Sequence, residues 1–149
     1  MALILVDTNI LARRFERSSP LHPVATGAMK RLRARGDELV IAPQTLYELW
    51  VVLTRPATAR GGLGRSTEET ARLLASVASL CRVLPDSSAI LPVWLDLVRR
   101  YKVTGTKAHD ARLVASMKVH GVAQVLTFNI ADFQGFAPEG IAVLDPRTV

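Results

Sequence analysis

Short apolar runs alternate with longer helical segments along the whole chain, and this alternation restricts the fold more than any other feature. Buried strands are predicted at residues 3–6, 39–42, 82–84, 124–127 and 141–144. Helices are predicted at residues 8–15, 22–35, 43–54, 66–80, 86–101 and 109–119, with Ser66 and Asp86 as N-caps. Because helical crossovers join parallel strands, we expect a mainly parallel sheet of about five strands with helices on both faces. The predicted fold is a single α/β domain over residues 1–149, arranged as a three-layer α/β/α sandwich.

The chain is strongly basic, with 19 Lys and Arg residues against 13 Asp and Glu residues and a formal net charge of +6. The positive charge has two equally good explanations. It could attract a polyanionic partner, or it could only keep the protein surface soluble. Cys81 is the single cysteine, which excludes an internal disulfide and fits a reducing compartment. The sequence shows neither a membrane-spanning apolar stretch nor a signal-peptide pattern, so we expect a cytoplasmic protein.

Four acidic residues are predicted to lie close together at one edge of the sheet. Asp7 ends the first strand and Asp132 follows the fourth, while Glu48 and Asp110 lie near the starts of helices. Each aspartate alone could be a helix N-cap, but Glu48 has apolar neighbours, among which a carboxylate needs a partner or a cation. Grouped carboxylates repel one another unless a divalent cation such as Mg²⁺ or Mn²⁺ offsets their charge. The sequence therefore favours a metal ligand over a simple cap for Asp7.

Several short motifs resemble those of one protein family. They are Val6-Asp7-Thr8-Asn9-Ile10-Leu11, Glu48 within its helix, His109-Asp110-Ala111, and Leu126-Thr127-Phe128-Asn129 followed by Asp132-Phe133. In this order the set resembles the PIN-domain ribonucleases, and most of all the VapC-type toxins of bacterial and archaeal toxin–antitoxin modules. The resemblance covers nearly the whole chain and implies a Mg²⁺-dependent endoribonuclease that hydrolyses RNA phosphodiester bonds.

The resemblance also implies roles for individual residues. Asp7 and Asp110 would be the principal metal ligands, and Glu48 would orient a second metal or the attacking water. Many family members carry an acid at the position of Asn129, so either Asp132 or the Asn129 side-chain oxygen would complete the site. The residues expected to position the acids are Thr8, Asn9 and Thr127, and those expected to meet flanking phosphates are Arg13 and Arg112, which could also be ordinary solvated arginines.

The predicted helix at residues 43–54 is apolar around most of its circumference, through Leu46, Leu49, Trp50, Val51, Val52 and Leu53. Either neighbouring helices cover this wide band, or part of it forms an interface. VapC-type toxins pair as homodimers and are inhibited by an antitoxin. The resemblance therefore implies a homodimer and a VapB-like antitoxin, one segment of which would place a basic side chain among Asp7, Glu48 and Asp110.

Two other functions stay open at the level of the sequence. A haloacid-dehalogenase-like phosphatase also begins with a strand that ends in Asp, but it would need a second Asp where this chain has Asn9. A non-catalytic RNA-binding protein of PIN fold would have lost at least one acid. The Gly61–Thr67 segment superficially resembles a phosphate loop, but it follows a helix and lacks the Gly-Lys-Ser/Thr ending, which favours a flexible surface loop.

Overall fold

One five-stranded sheet forms the centre of the computed structural model, which describes residues 1–149. Its strands are β1 (Leu3–Val6), β2 (Glu38–Ile41), β3 (Arg82–Val83), β4 (Gln124–Leu126) and β5 (Ala142–Leu144). They lie in the order β3-β2-β1-β4-β5, and every neighbouring pair is parallel. All five carboxyl ends therefore lie at the same edge of the sheet, with β1 in the middle. The predicted parallel sheet is confirmed.

Seven α-helices cover the two faces of the sheet. They are α1 (Thr8–Arg14), α2 (His22–Ala34), α3 (Pro43–Thr54), α4 (Thr67–Leu80), α5 (Ile90–Arg100), α6 (Lys107–His120) and α7 (Ile130–Gln134). Side chains alternate between the faces of a strand, so Ile4 and Val6 pack against α1 to α4 whereas Leu5 packs against α5 to α7. Each face buries a core of 16 residues, which makes the three predicted layers. None of the helices is long and apolar enough to cross a membrane.

Most predicted helix boundaries agree with the structure to within about two residues, but the start of α5 does not. Ser66 caps α4 as predicted, accepting a hydrogen bond from the Glu69 amide at 3.1 Å. Asp86 was predicted to cap α5, and this is wrong because a turn from Ser87 to Ile90 separates it from the helix, which begins at Ile90. The Asp86 carboxylate instead accepts a hydrogen bond from a side chain of α6.

Two further differences lie close to the predicted acidic cluster. The helix predicted to begin at His109 begins at Lys107, so Asp110 lies in its first turn. The five-residue helix α7 and the 3₁₀ turn Ala137–Glu139 are absent from the sequence-based prediction. Segments this short carry too few apolar repeats to be distinguished from a loop by periodicity. As a result, Asp132 lies in the first turn of a helix rather than in a loop.

Candidate active site

Asp7 lies at the centre of a cleft at the carboxyl edge of the sheet. It directly follows β1, and only 7% of its surface is exposed. Its Oδ1 atom accepts a hydrogen bond from the Thr8 amide at 2.8 Å, so Asp7 does cap α1. Its Oδ2 atom accepts hydrogen bonds from the Thr127 hydroxyl at 2.8 Å and from the Asn9 side-chain amide at 3.2 Å. Three neutral donors thus hold this carboxylate in one orientation.

Thr127 connects Asp7 to the segment that follows β4. Its side chain is fully buried, and its Oγ1 atom donates to Asp7 while accepting from the Asn9 side-chain amide at 3.0 Å and the Asn129 backbone amide at 2.9 Å. Asn9 also accepts a hydrogen bond from the Phe128 backbone amide at 3.1 Å. Thr127 and Asn9 therefore link the ends of the adjacent strands β1 and β4.

Glu48 approaches the same cleft from α3. Its Oε2 atom accepts a hydrogen bond from the Thr8 hydroxyl at 2.9 Å, and its Oε1 atom accepts one from the Gln44 side-chain amide at 2.8 Å. Gln44 is itself buried and also donates to the backbone carbonyl of His109 at 2.9 Å. Gln44 was not among the site residues predicted from the sequence. Its position four residues before Glu48 on the same helical face was the available signal.

The four predicted acids lie close enough to influence one another's ionisation. Burial raises the pKa of Asp7 from its ordinary 3.8 to about 6, and the carboxylates of Glu48 and Asp132 add to the rise, against the hydrogen bonds from Thr127 and Thr8. Burial also raises the pKa of Asp110, to about 7, and the other three carboxylates again add to it. The cleft is thus a region of concentrated negative charge in a basic protein.

None of these four carboxylates has a basic partner within salt-bridge distance. Salt bridges engage eight of the 13 acidic residues of the chain, and the five left unpaired are Glu68 and the four clustered acids Asp7, Glu48, Asp110 and Asp132. Although the chain has 19 Lys and Arg residues, none of them forms a salt bridge with these four acids, and Lys107 only partly opposes the rise in the pKa of Asp110.

The cleft beside Asp7 has a volume of about 340 Å³ and a largely polar wall. Asn129 forms part of this wall, whereas Asp132 contributes through its charge and does not line it. Two arginines, Arg13 and Arg55, stand at its margin, and Arg13 is paired with Glu16. The remaining lining residues are Thr8, Asn9, Ala12, Glu48, Val52, Gly61, Leu63 and Asp110. Neither Arg55 nor the glycine loop was predicted to lie here.

Comparison with known proteins decides the family. A sequence profile described as the PIN domain matches residues 4–136. The chain belongs to the PIN domain family. Among characterised relatives of this PIN domain are Ribonuclease VapC24 and Ribonuclease VapC48 of Mycobacterium tuberculosis. The first is 26% identical over 136 residues, covering 90% of this chain and 91% of the relative. The second is 28% identical over 149 residues, covering 94% of each.

A solved structure shares the fold of this PIN domain over its whole length. The chain superposes on a toxin–antitoxin complex from Klebsiella pneumoniae with a TM-score of 0.64, covering 100% of both chains at 21% sequence identity. At this level of identity the likeness concerns the fold alone. It confirms the three-layer architecture that the alternation of strands and helices predicts.

Arg112 of the PIN domain does not line the cleft, although the sequence suggested it as a phosphate contact. Its guanidinium donates to the Gln44 side-chain oxygen at 3.0 Å and to the Asp86 carboxylate at 3.1 Å. Gln44 in turn donates to Glu48, so Arg112 orients the glutamate through an intervening amide. His109 contributes to the same network through its backbone carbonyl.

The donors of the cleft are suited to a hard divalent cation. They are carboxylate oxygens and the side-chain amide of Asn129, the ligand types that Mg²⁺ and Mn²⁺ bind in proteins. Each Glu48 oxygen accepts a single hydrogen bond from the protein, which leaves lone pairs for coordination. No three of the side chains converge as a closed ligand cage. The chemistry and charge of the residues fit the ion, and their side chains would have to turn inward to enclose it.

Proposed function

We propose that this PIN domain is a metal-dependent endoribonuclease that hydrolyses RNA phosphodiester bonds and is the toxin of a VapBC-type toxin–antitoxin system. One observation carries the proposal. Four carboxylates without salt-bridge partners lie close together at the carboxyl edge of a parallel sheet, three of them in one cleft, and neutral hydrogen-bond donors orient Asp7 and Glu48. The two relatives named Ribonuclease VapC, which span almost the whole chain, support the same activity.

In this proposal Asp7 and Asp110 hold a divalent cation, with Mg²⁺ preferred and Mn²⁺ as the alternative. Glu48 and Asp132 are the candidates for holding a second one. When bound, such an ion lowers the pKa of coordinated water and stabilises the negative charge that develops at the scissile phosphate and the leaving 3′ oxygen. The raised pKa values of Asp7 and Asp110 mean that the protein alone disfavours the ionised form of each acid. A bound cation would favour the ionised forms, so the raised values are consistent with a metal site.

The protein's own side chains orient the reacting groups. Thr8 and Gln44 each donate to one oxygen of Glu48, which lines the cleft and keeps lone pairs that can orient the attacking water. Thr127 and Asn9 hold Asp7 in the same way from the sheet side. Arg13 stands at the margin of the cleft, where its guanidinium can meet a neighbouring phosphate of the RNA.

RNA cleavage with matched variants tests the proposal. We expect the wild-type protein to cleave total RNA with Mg²⁺ and to lose this activity in excess chelator. Asp110→Asn should be inactive, whereas Asp96→Asn, the same change at an exposed acid of α5, should cleave like the wild type. A phosphomonoester substrate should not be hydrolysed. Monoester hydrolysis without RNA cleavage would favour the phosphatase alternative, and RNA binding without cleavage would favour a non-catalytic PIN protein.

We further propose that the protein forms a homodimer through α3 and α5. On α3, Leu49 and Leu53 are fully buried, but Tyr47 is 65% and Val51 49% exposed, so neighbouring helices cover only one side of the apolar band. Two leucines of α5, Leu91 and Leu95, are also exposed. The apolar hollows beside the two helices share Arg112 as a common wall, so they form one surface. Exposed apolar area of this kind is typical of an interface.

The second proposed partner is a VapB-like antitoxin. The Klebsiella pneumoniae structure of the same fold is described as a toxin–antitoxin complex, which supports the proposal. A basic antitoxin side chain placed among Asp7, Glu48 and Asp110 would supply the cation that the cleft lacks. Co-expression with the adjacent small open reading frame tests this. If the neighbour's product neither binds the protein nor relieves its toxicity, the antitoxin proposal fails. An RNA substrate and such a partner support a cytoplasmic location as part of this proposal.

A further inference from the structure

The glycine-rich segment between α3 and α4 folds back along the rim of the acidic cleft. Three of its backbone amides return to the last turns of α3. Leu63 donates to the Val52 carbonyl at 3.1 Å, and Arg65 donates to the Leu53 carbonyl at 2.7 Å. Gly64 donates to the carbonyl of Arg55 at 2.8 Å. The segment is a surface loop, as the sequence predicts, and these contacts give it a defined path beside the cleft.

Two glycines are required for this path. A Cβ atom on Gly62 would lie 2.2 Å from the Pro56 carbonyl oxygen, a distance that no side chain tolerates. Gly64 has a φ of +62°, in the left-handed region that favours glycine, and a Cβ there would crowd Ala57 at 3.3 Å. The glycines therefore allow the segment to lie close against the end of α3 instead of projecting away from the cleft.

This path creates a second groove that continues from the first. The second groove has a volume of about 370 Å³ and is lined by Glu16, Arg17, Ser18, Ala57, Gly62, Leu63 and Arg65. Glu16 and Leu63 line the acidic cleft as well, so the two depressions meet across these residues. An extended ligand bound at the acids can therefore continue past Leu63 towards Arg17.

The combined path carries positive charge that the protein does not neutralise. Arg55, at the margin of the acidic cleft, and Arg17, in the second groove, are both exposed, and neither forms a salt bridge. Arg55 donates one hydrogen bond, to the Arg60 carbonyl at 3.2 Å, and keeps its charge and its other donors available. Arg65 is held by Glu69 and by the Phe15 carbonyl, which leaves it a structural role. The four carboxylates repel an approaching polyanion, and the positive charges of Arg17 and Arg55 beside the site offset this repulsion.

We propose that Arg17 and Arg55 bind the sugar–phosphate backbone of RNA on one side of the scissile bond. Arg17, Arg55 and Leu63 together form a site that we term the arginine channel. The inference rests on the proposed ribonuclease function and extends it to the substrate path. No aromatic residue lines either groove, so base stacking has no platform here. Contacts in the arginine channel should therefore depend on the number of phosphates and on salt, and little on base sequence.

RNA binding measured with matched double variants tests the arginine channel. The probe is a fluorescein-labelled RNA oligonucleotide, and Asp110→Asn is present in every protein to prevent cleavage. Arg17→Gln/Arg55→Gln should weaken binding by roughly 10- to 30-fold at about 0.1 M salt, since two lost phosphate contacts reduce the slope of log K against log salt by about 1.4. Arg33→Gln/Arg99→Gln removes two exposed, unpaired arginines elsewhere and should bind like the parent.

A charge-preserving variant and a second probe separate the possible outcomes. Arg17→Lys/Arg55→Lys should recover most of the affinity, and circular dichroism should show that every variant is folded. Unchanged affinity and salt slope in Arg17→Gln/Arg55→Gln would overturn the arginine channel while leaving the ribonuclease function intact. A wild-type protein that cleaves no RNA would refute the function first and the channel with it. Equal loss of binding to polyglutamate would indicate a general anion surface and also overturn the channel.

Discussion

Replacing Asp7 with Asn should make the metal-free protein more stable near neutral pH. Burial and the neighbouring carboxylates raise the pKa of Asp7 from 3.8 to about 6 in the folded protein. A raised folded-state pKa means that stability is present at low pH and is lost as the pH rises towards the folded value. A pKa raised from 3.8 to about 6 means that the wild type loses roughly 3 kcal/mol of unfolding free energy above about pH 6. An uncharged amide avoids this loss.

The hydrogen bonds around Asp7 reduce the expected gain. The carboxylate accepts three hydrogen bonds, from Thr8, Asn9 and Thr127, and an amide at the same place has a single acceptor oxygen. Whichever way the amide turns, its NH₂ group faces a donor, which costs about 1 to 1.5 kcal/mol. The net stabilisation of Asp7→Asn should therefore be about 1.5 to 2 kcal/mol, or a rise in melting temperature of roughly 3 to 8 °C.

Urea unfolding of the metal-free protein, in the presence of chelator, measures this effect. The stability difference between Asp7→Asn and the wild type should be largest at about pH 8 and should vanish or reverse at about pH 4, where the aspartate is protonated. Asp96→Asn, which changes an exposed acid on α5, should alter stability by less than about 0.5 kcal/mol at either pH. Equal destabilisation of Asp7→Asn at both pH values would refute the idea that the buried charge is costly.

Three further predictions concern the metal, the fourth ligand and the dimer. Asp110→Asn should remain folded, as judged by circular dichroism, yet should gain no stability from Mg²⁺ in thermal melts; a melting temperature that rises as in the wild type would remove Asp110 from the metal site. Asp132→Ala should weaken Mg²⁺ affinity, measured by calorimetry, more than Asn129→Ala, and the reverse order would assign the amide as the fourth ligand. Leu91→Asp should convert a dimer to a monomer in light scattering, whereas Ala75→Asp, at an exposed position on the opposite face of the sheet, should leave the dimer intact. A dimer that persists in Leu91→Asp would remove α5 from the interface.

The sheet and its carboxyl edge were predictable because they depend on features that lie close together in sequence. Leu3–Val6 is an unbroken apolar strand that ends at an acid, and helical segments separate it from the other strands. Parallel pairing then requires the strand ends to meet at one edge, which brings Asp7 near the residues that follow β4. Asp110 and Glu48 join them because each lies within the first turns of a helix that starts at this edge.

The hydrogen-bond partners of the acids could be predicted only in part. Thr8, Asn9 and Thr127 were proposed from the family motifs, but which oxygen each one contacts depends on distances between separate elements. Gln44 was missed because an amide in a helix has no distinctive pattern, and only its contact with the His109 carbonyl across the sheet edge reveals its role. The glycine segment was correctly predicted as a surface loop, but its path was not, since the carbonyls that fix it belong to α3 and to its C-cap residue Arg55.

The choice of neutral partners around Asp7 explains both the stability cost and the proposed metal affinity. A lysine or arginine beside this carboxylate would have stabilised the folded protein and lowered the pKa of the acid, as happens at Glu139, where Arg100 and Lys118 hold the pKa well below its usual range. Such a cation would also have occupied the position that a divalent ion needs. Hydrogen-bond donors from Thr127 and Asn9 orient the carboxylate without neutralising it. The negative charge therefore remains available to an external cation, and the metal-free fold pays for that availability with lower stability near neutral pH.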